Sequence, residues 1–241
     1  MTDRVMSLAG KRVVAIGGSS GIGFAIARLA RELEAEVVIA SSDPAKVEAA
    51  VARLPGARGE VVDVRDEGSV AAFFERLGGL DHLTLTSGDW GGSMFTATRD
   101  IDLAQAQARL QVRLWGAVAA IKHASRVIAP HGSITLTSGM LAHRPQKGGA
   151  LAAMGGGATE YLARALAVDL APVRVNVVVP GLILTEQVLR MPEEMRASYT
   201  ARLPIPRAAT PEEAAIAYIG AMLNGYVTGQ TLFVDGGGLV A

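Results

Sequence analysis

A chain of 241 residues is long enough for one large α/β domain or two small ones. Its 23 basic and 23 acidic residues balance, which leaves no basic field for nucleic acid and no acidic tail, and the lack of cysteine excludes disulfides, thiolate catalysis and cysteine metal ligands. Half the residues are hydrophobic and the mean hydropathy is +0.31, yet no apolar run reaches the roughly 18 residues of a membrane span, so a cytoplasmic protein without a membrane partner is expected.

The opening "MTDRVMSLAGKRVVAIGG" carries charges before any long apolar segment and does not read as a signal peptide. "KRVVAI" (11–16) is the first expected strand, followed by a helix near 21–32. "EVVIA" (36–40) leads to a helix near 44–53, with Asp43 as cap and Pro44 at its first position. "GEVVDV" (59–64) precedes a helix at 66–77, "DHLTLT" (81–86) a long apolar helix at 102–128, and "GSITLT" (132–137) a helix at 156–170. After "VRVNVVV" (173–179) comes a loose segment, 184–210, too long for a simple connection and so a candidate lid. A helix near 211–223 and the strand "QTLFVD" (230–235) follow. Several strands are apolar at consecutive positions, as strands covered on both faces are. The expectation is an α/β fold, one domain over residues 1–241, with a parallel seven-stranded sheet and helices on both faces.

The chemistry begins at "VVAIGGSSGIGFAIARLA". Gly17, Gly21 and Gly23 follow a strand and open a helix, the context that a dinucleotide loop needs. Gly17 permits the tight turn, Gly21 lets the backbone approach a pyrophosphate, and Gly23 lets helix and strand pack closely. Ser19, Ser20 and Ile22 complete a loop whose amides would face the phosphates.

The spacing Gly-x-x-x-Gly-x-Gly resembles the short-chain dehydrogenase/reductase family. Asp63-Val64 resembles the family's adenine-contacting pair, and Ser87-Gly88 is what remains of its Asn-Asn-Ala-Gly. "RVNVVVPGLILT" resembles its Arg-Val-Asn…Pro-Gly…Thr segment, with Pro180, Gly181 and Thr185 where the family meets the nicotinamide. "TPEEAA" and "VTGQTLFVDGGG" resemble the closing helix and strand. The resemblance implies a Rossmann-like fold, a nicotinamide dinucleotide, a small-molecule substrate and a homo-oligomer, dimer or tetramer. An acidic residue at the end of the second strand would take the ribose hydroxyls of NAD. Ser41 and Ser42 stand there instead, neutral toward a 2′-phosphate, so NADP(H) is favoured over NAD(H), although no Arg is there and only Lys46 is near.

The family's active site pairs Tyr and Lys as Tyr-x-x-x-Lys, with a Ser thirteen residues before the Tyr. Counting back from "RALAVDLA", the Lys position falls on Gly156, the Tyr position on Ala152 and the Ser position on Gly139, beside Ser138. A slip of one gives Gly155, Leu151 and Ser138; neither register holds the pair. Arg113 takes the place of the family's relay Asn. Ser138 and Arg113 are therefore the candidate catalytic residues. Ser138 could hydrogen-bond a substrate oxygen or cap a turn. Arg113 could bind an anion or oxyanion in the site, but an interface or structural role is favoured. Arg144 and Lys147 read as solvated loop charges and His143 as a less favoured alternative acid. Tyr161 reads as a packing residue, and Asp89-Trp90 as pocket wall or structural tryptophan. No spacing suggests a metal site.

"GALAAMGGGATEYLARALA" (149–167) thus puts a triple glycine at an expected helix entrance, at a cost of roughly 1 kcal/mol per glycine relative to alanine. Three readings stay open: decay after lost catalysis, a cavity with exposed helix amides for a ligand, and close helix packing. The functional expectation is an NADP(H)-dependent oxidoreductase with a non-standard active site. Ordinary ketone reduction is expected to be weak unless water, Ser138 or a loop residue supplies the proton. The alternatives are a non-catalytic dinucleotide-binding subunit or sensor, and a non-redox isomerase, lyase or cyclase.

Overall fold

The computed structural model describes residues 6–88 and 95–241. Its strands are β1 (Arg12–Ile16), β2 (Glu36–Ser41), β3 (Arg58–Val61), β4 (Leu80–Leu85), β5 (Ile128–Thr137), β6 (Arg174–Pro180) and β7 (Thr231–Val234). They form one sheet in the order β3-β2-β1-β4-β5-β6-β7, with every neighbouring pair parallel. The helices are α1 (Gly21–Glu32), α2 (Pro44–Arg53), α3 (Glu67–Leu77), α4 (Leu103–Leu110), α5 (Gly116–Ala124), α6 (Ala150–Asp169), α7 (Glu186–Leu189), α8 (Glu193–Thr200) and α9 (Pro211–Leu223).

The consecutive apolar residues of the strands divide between two cores. Val14, Ile16, Val38 and Ala40 pack on one side of the sheet with Phe73 and Phe74 of α3 and Ile121 of α5. Val13, Ala15, Val37 and Ile39 pack on the other with Ile26 of α1 and Tyr218 of α9. Period-two alternation with both faces covered makes every strand position apolar. The chain winds outward from β1 to β3, then returns to place β4 on the other side of β1. That reversal opens a crevice at the carboxyl ends of β1 and β4, where such sheets bind ligands.

Helix starts follow local chemistry. Asp43 accepts hydrogen bonds from the Ala45 and Lys46 amides and caps α2, as expected from the sequence. Thr210 and Glu213 form a reciprocal capping box on α9. The expected lid, 184–210, holds α7 and α8, and Leu184 N–H donates to Ala209 O at 2.8 Å near its two ends.

Two expected helices are corrected. The one at 102–128 is α4, a π-helical turn (Gln111–Trp115) and α5, ending at Ala124. Ile128 already belongs to β5, because a short apolar run suits a strand as well as a helix end. The one at 156–170 begins at Ala150, so the triple glycine lies inside α6 and presents no helix-entrance amides. A methyl group at Gly155 would lie 3.3 Å from Leu110 Cδ2. One at Gly156 would lie 3.0 Å from Ser138 Oγ and 3.1 Å from Ala142 Cβ, while Gly157 faces open space. Close packing accounts for two of the three glycines, and tertiary contact offsets their poor propensity.

"RVN" works as a latch. The Arg174 guanidinium, on β6, donates to Ala221 O, Met222 O and Asn224 O at the carboxyl end of α9. Asn176 Nδ2 donates to Val227 O, and its Oδ1 accepts from the Gln230 amide.

A buried pair between β4 and β5 sets an acid limit. His82 Nδ1 lies 2.9 Å from Ser133 Oγ, and burial pushes the His82 pKa down to about 4. The folded protein refuses a proton that the unfolded chain accepts. Stability is therefore fully present above about pH 6.5 and falls as the pH drops to about 4, by about 3 kcal/mol in all. Urea unfolding at pH 7 and pH 4.5 reads this loss. His82→Gln removes the titration, so the acid loss in that variant is expected to be smaller by most of this amount. Equal losses in the two proteins would refute it.

Among the described residues no helix is long and apolar enough to cross a membrane.

Candidate functional site

A cleft of about 770 Å³ runs along the carboxyl ends of the strands. Its floor is the loop between β1 and α1. Gly17 has φ +87° and a methyl group there would lie 2.5 Å from Ser87 N. Gly21 has φ +52°. A methyl group at Gly23 would lie 2.2 Å from Gly17 O and 2.5 Å from Thr86 Oγ1. The backbone therefore passes closer than any side chain allows, and Ser20 places no side-chain cap on the first amides of α1. The result is an open, positively polarised helix end lined by Ser19, Ser20 and Ile22, a cradle that fits a pyrophosphate.

Ser41, Ser42, Asp63 and Val64 line one end of the cleft, as expected. Lys46, Arg53 and Arg65 line the same cleft, and the two arginines were not expected in it. Arg53 comes from the far end of α2 and lies over the Phe24 ring, 4.0 Å from its centroid. Arg65 grips the Asp63 carboxylate at 2.7 Å and holds its pKa below the ordinary value. Neither residue is adjacent in sequence to the serines, so the strand-end motif alone does not reveal them.

Ser87, Gly88, Pro180, Gly181 and Thr185 line the other end. Gly181 is needed because a methyl group there would lie 2.8 Å from Asp235 Cα. Thr185 Oγ1 accepts from the Val188 amide at 3.4 Å and starts α7. Glu186, Gln187 and Arg190 complete this rim and were not expected in it.

Thr137, Ser138 and Arg113 line the middle. Arg113 sits in the π-helical turn, a distortion frequent at functional sites. Its residue position lies in the wall of the cleft. Burial lowers its pKa, and the Tyr218 hydroxyl opposes that shift. Ala152 and Gly156 are not among the residues that line this cleft. α6 instead lies against Ser138 at Gly156.

Beneath Ser138 is a cluster that the sequence reading missed. Ser138 Oγ donates toward Glu160 Oε1 at 2.7 Å and Gly156 O at 3.1 Å. His143 Nε2 lies 2.9 Å from Glu160 Oε1 and 2.8 Å from Oε2. Glu160 is four residues after Gly156 and eight after Ala152, on the same face of α6. An acid at that spacing in a helix otherwise apolar on that face was the available signal.

The remaining candidates fall outside the cleft. Lys147 is exposed, and Arg144 Nη1 reaches Leu239 O at 3.5 Å. Tyr161 is corrected: it is 71% exposed beside Arg164, because it lies on the face of α6 away from the sheet. Asp89 and Trp90 lie outside the described residues. Among the described residues no group of three His, Asp or Glu could hold a metal ion.

A doubly wound parallel sheet with a glycine cradle at its switch point defines a nucleotide-binding Rossmann-like protein. The family model described as enoyl-(acyl carrier protein) reductase matches residues 16–238. A short-chain dehydrogenase/reductase of Acremonium sp, ucsE, is 34% identical over 96% of this chain and 96% of its own. The structure of the MalC reductase/Diels-Alderase of Malbranchea aurantiaca superposes with a TM-score of 0.90 at 30% identity, covering 98% of this chain and 99% of that one. A small-chain dehydrogenase in complex with NADPH superposes with a TM-score of 0.83 at 34% identity, covering 96% and 99%. The chain belongs to the short-chain dehydrogenase/reductase family, an oxidoreductase family that binds nicotinamide dinucleotides.

Proposed function

We propose that this protein is an NADP(H)-dependent oxidoreductase acting on a small molecule, with a proton-transfer site that does without the Tyr/Lys pair. The observation that carries it is that the glycine cradle, Ser41 and Ser42, the cations Lys46, Arg53 and Arg65, and Ser138 with Arg113 all line one cleft. In this reading the loop amides would hold the pyrophosphate, Lys46, Arg53 and Arg65 would offer charge to the 2′-phosphate, and Pro180, Gly181 and Thr185 would hold the nicotinamide. The bound dinucleotide supplies or accepts a hydride. Arg113 steadies negative charge on the substrate.

Fluorescence titration tests this reading. NADPH is expected to bind about tenfold more tightly than NADH, about 1.4 kcal/mol. Lys46→Ala with Arg53→Gln is expected to erase that difference while leaving NADH binding within about twofold. Equal binding of the two cofactors by the unmodified protein would remove the NADP preference, and binding of neither would remove the proposal.

Assembly into a homodimer or homotetramer in the cytoplasm is part of the same reading. Met154, Tyr161 and Val168 stand exposed seven residues apart along α6, and Leu103 and Trp115 are exposed at α4 and the π-helical turn. Such stripes fit helix–helix association. A second, non-redox reading draws on the MalC similarity, since that relative is titled a reductase and a Diels-Alderase. In that case the cleft would orient a substrate for ring closure without consuming cofactor.

A further inference from the structure

We propose that Ser138, Glu160 and His143 form a proton relay from solvent to the reacting end of the cleft, taking over the supply that the missing Tyr would give. The proposal rests on the oxidoreductase reading above. Ser138 lines the cleft and is 2% exposed. The Glu160 carboxylate behind it is 4% exposed, and the His143 side chain beyond it is 25% exposed. The three residues therefore make one continuous hydrogen-bonded line from the cleft to the surface.

The order of the groups decides what they can do. In a nucleophilic serine site the imidazole touches the hydroxyl. Here the carboxylate stands between them, so His143 cannot deprotonate Ser138 directly and reaches it only through Glu160. Both hydrogen bonds meet at Glu160 Oε1, at 2.7 Å from Ser138 Oγ and 2.9 Å from His143 Nε2. A proton entering that oxygen from one side can leave on the other. The carboxylate has acceptors only, so Nε2 carries the hydrogen on its side. From α6 the charged group facing the imidazole is Glu160. β7 presents the uncharged Phe233 ring, edge-on with centroids 4.7 Å apart. Arg144, in the same loop, turns to Leu239 O.

In the reducing direction a hydride reaches the substrate carbon and breaks one C–H bond of the reduced nicotinamide. The π pair of the C=O or C=N group moves to the heteroatom, which takes the Ser138 hydroxyl proton. With His143 protonated, its Nε2 proton passes to Glu160 Oε1, and the carboxyl so formed gives its proton to Ser138 Oγ as the serine hydroxyl proton leaves for the heteroatom; the neutral imidazole is then recharged from water. The balance is one hydride from the cofactor and one proton from solvent. Oxidation runs the same steps backward. Ser138 is the catalytic residue of the three, and Glu160 and His143 act through it.

The test uses the full chain with NADPH and the acceptors diacetyl, phenanthrenequinone and the cyclic imine pyrroline. The reduction rate of the unmodified protein is expected to fall as pH rises, because the relay draws its proton from solvent. His143→Ala and Glu160→Gln are expected to lower kcat about a hundredfold at neutral pH and to abolish that pH limb. NADPH binding is expected to stay within about threefold, and added imidazole to restore part of the His143→Ala rate. Imidazole NMR of the cofactor-free protein is expected to show the His143 Nε2–H signal moved upfield in Glu160→Gln as its bond to the carboxylate is weakened, and the spectrum also reports whether that variant is folded. Turnover within twofold of the unmodified protein in both variants, or an unmoved His143 Nε2–H signal in folded Glu160→Gln, overturns the relay and leaves the oxidoreductase reading standing. Reduction of none of the acceptors by unmodified protein saturated with NADPH overturns both.

Discussion

Gly23→Ala is expected to abolish dinucleotide binding, at least a hundredfold in affinity, and to cost about 3 kcal/mol of stability. The added methyl would overlap Gly17 O at 2.2 Å and Thr86 Oγ1 at 2.5 Å. The nearer obstacle is backbone, not the end of a flexible side chain, so relief requires α1 to lift away from β1. That movement opens the core around Ile26 and carries the helix amides away from the phosphates. Gly220→Ala in α9 is the matched control. Nothing lies within 4 Å of its added methyl, so it is expected to stabilise the protein by about 0.5–1 kcal/mol. The two substitutions are chemically identical and opposite in expected sign. Thermal unfolding and NADPH titration read both, and binding by Gly23→Ala within threefold of the unmodified protein would contradict the account.

Arg174→Leu is expected to lower stability by about 3 kcal/mol or more, a fall in Tm of about 6–12 °C. α9 has no basic residue in its last turn, and its closing carbonyls are served from β6 by this one guanidinium. Leucine fills similar space yet leaves Ala221 O and Met222 O without that donor. Leaving such groups unsatisfied costs more than a hydrogen bond is worth when made. Arg174→Lys is expected to fall between the two, because a single ammonium cannot reach the diverging carbonyls as a planar fork does. The effect reaches the cleft because α9 packs on α1 and is tied to it by Arg28 and Glu212 at 2.9 Å. A Tm for Arg174→Leu within 2 °C of the unmodified protein would refute the latch.

The parts of this molecule legible in its sequence are those where one local rule acts alone. Positions that tolerate no Cβ must be glycine, so Gly17, Gly21 and Gly23 announce the cradle. Strands buried on both faces must be apolar throughout, so the sheet can be read from runs of Val and Ile. The start of α6 is hidden because glycine is penalised by helix propensity, and only the neighbours Leu110, Ser138 and Ala142 show why it is used there. Arg53 and Arg65 join the lining of the cleft from outside the strand end, and nothing at Ser41-Ser42 points to them. The π-helical turn that brings Arg113 to the cleft has no local pattern of its own. Glu160 is marked by no local motif, and its partners Ser138 and His143 come from β5's end and the following loop.

The hydroxyl of Ser138 has one hydrogen and two acceptors waiting for it, Gly156 O and Glu160 Oε1. With Glu160 ionised, that hydrogen points into the protein, and what the oxygen turns to the cleft is lone pairs. In that state an alcohol or a protonated amine is complementary to the serine, whereas a bare carbonyl meets oxygen with oxygen. A proton on Glu160 inverts the arrangement: the carboxyl donates to Oγ, and the serine hydrogen is released toward the ligand. The occupancy of one buried proton site thus sets the polarity of the cleft, and with it whether the alcohol-like or the carbonyl-like partner of a redox pair is the one held.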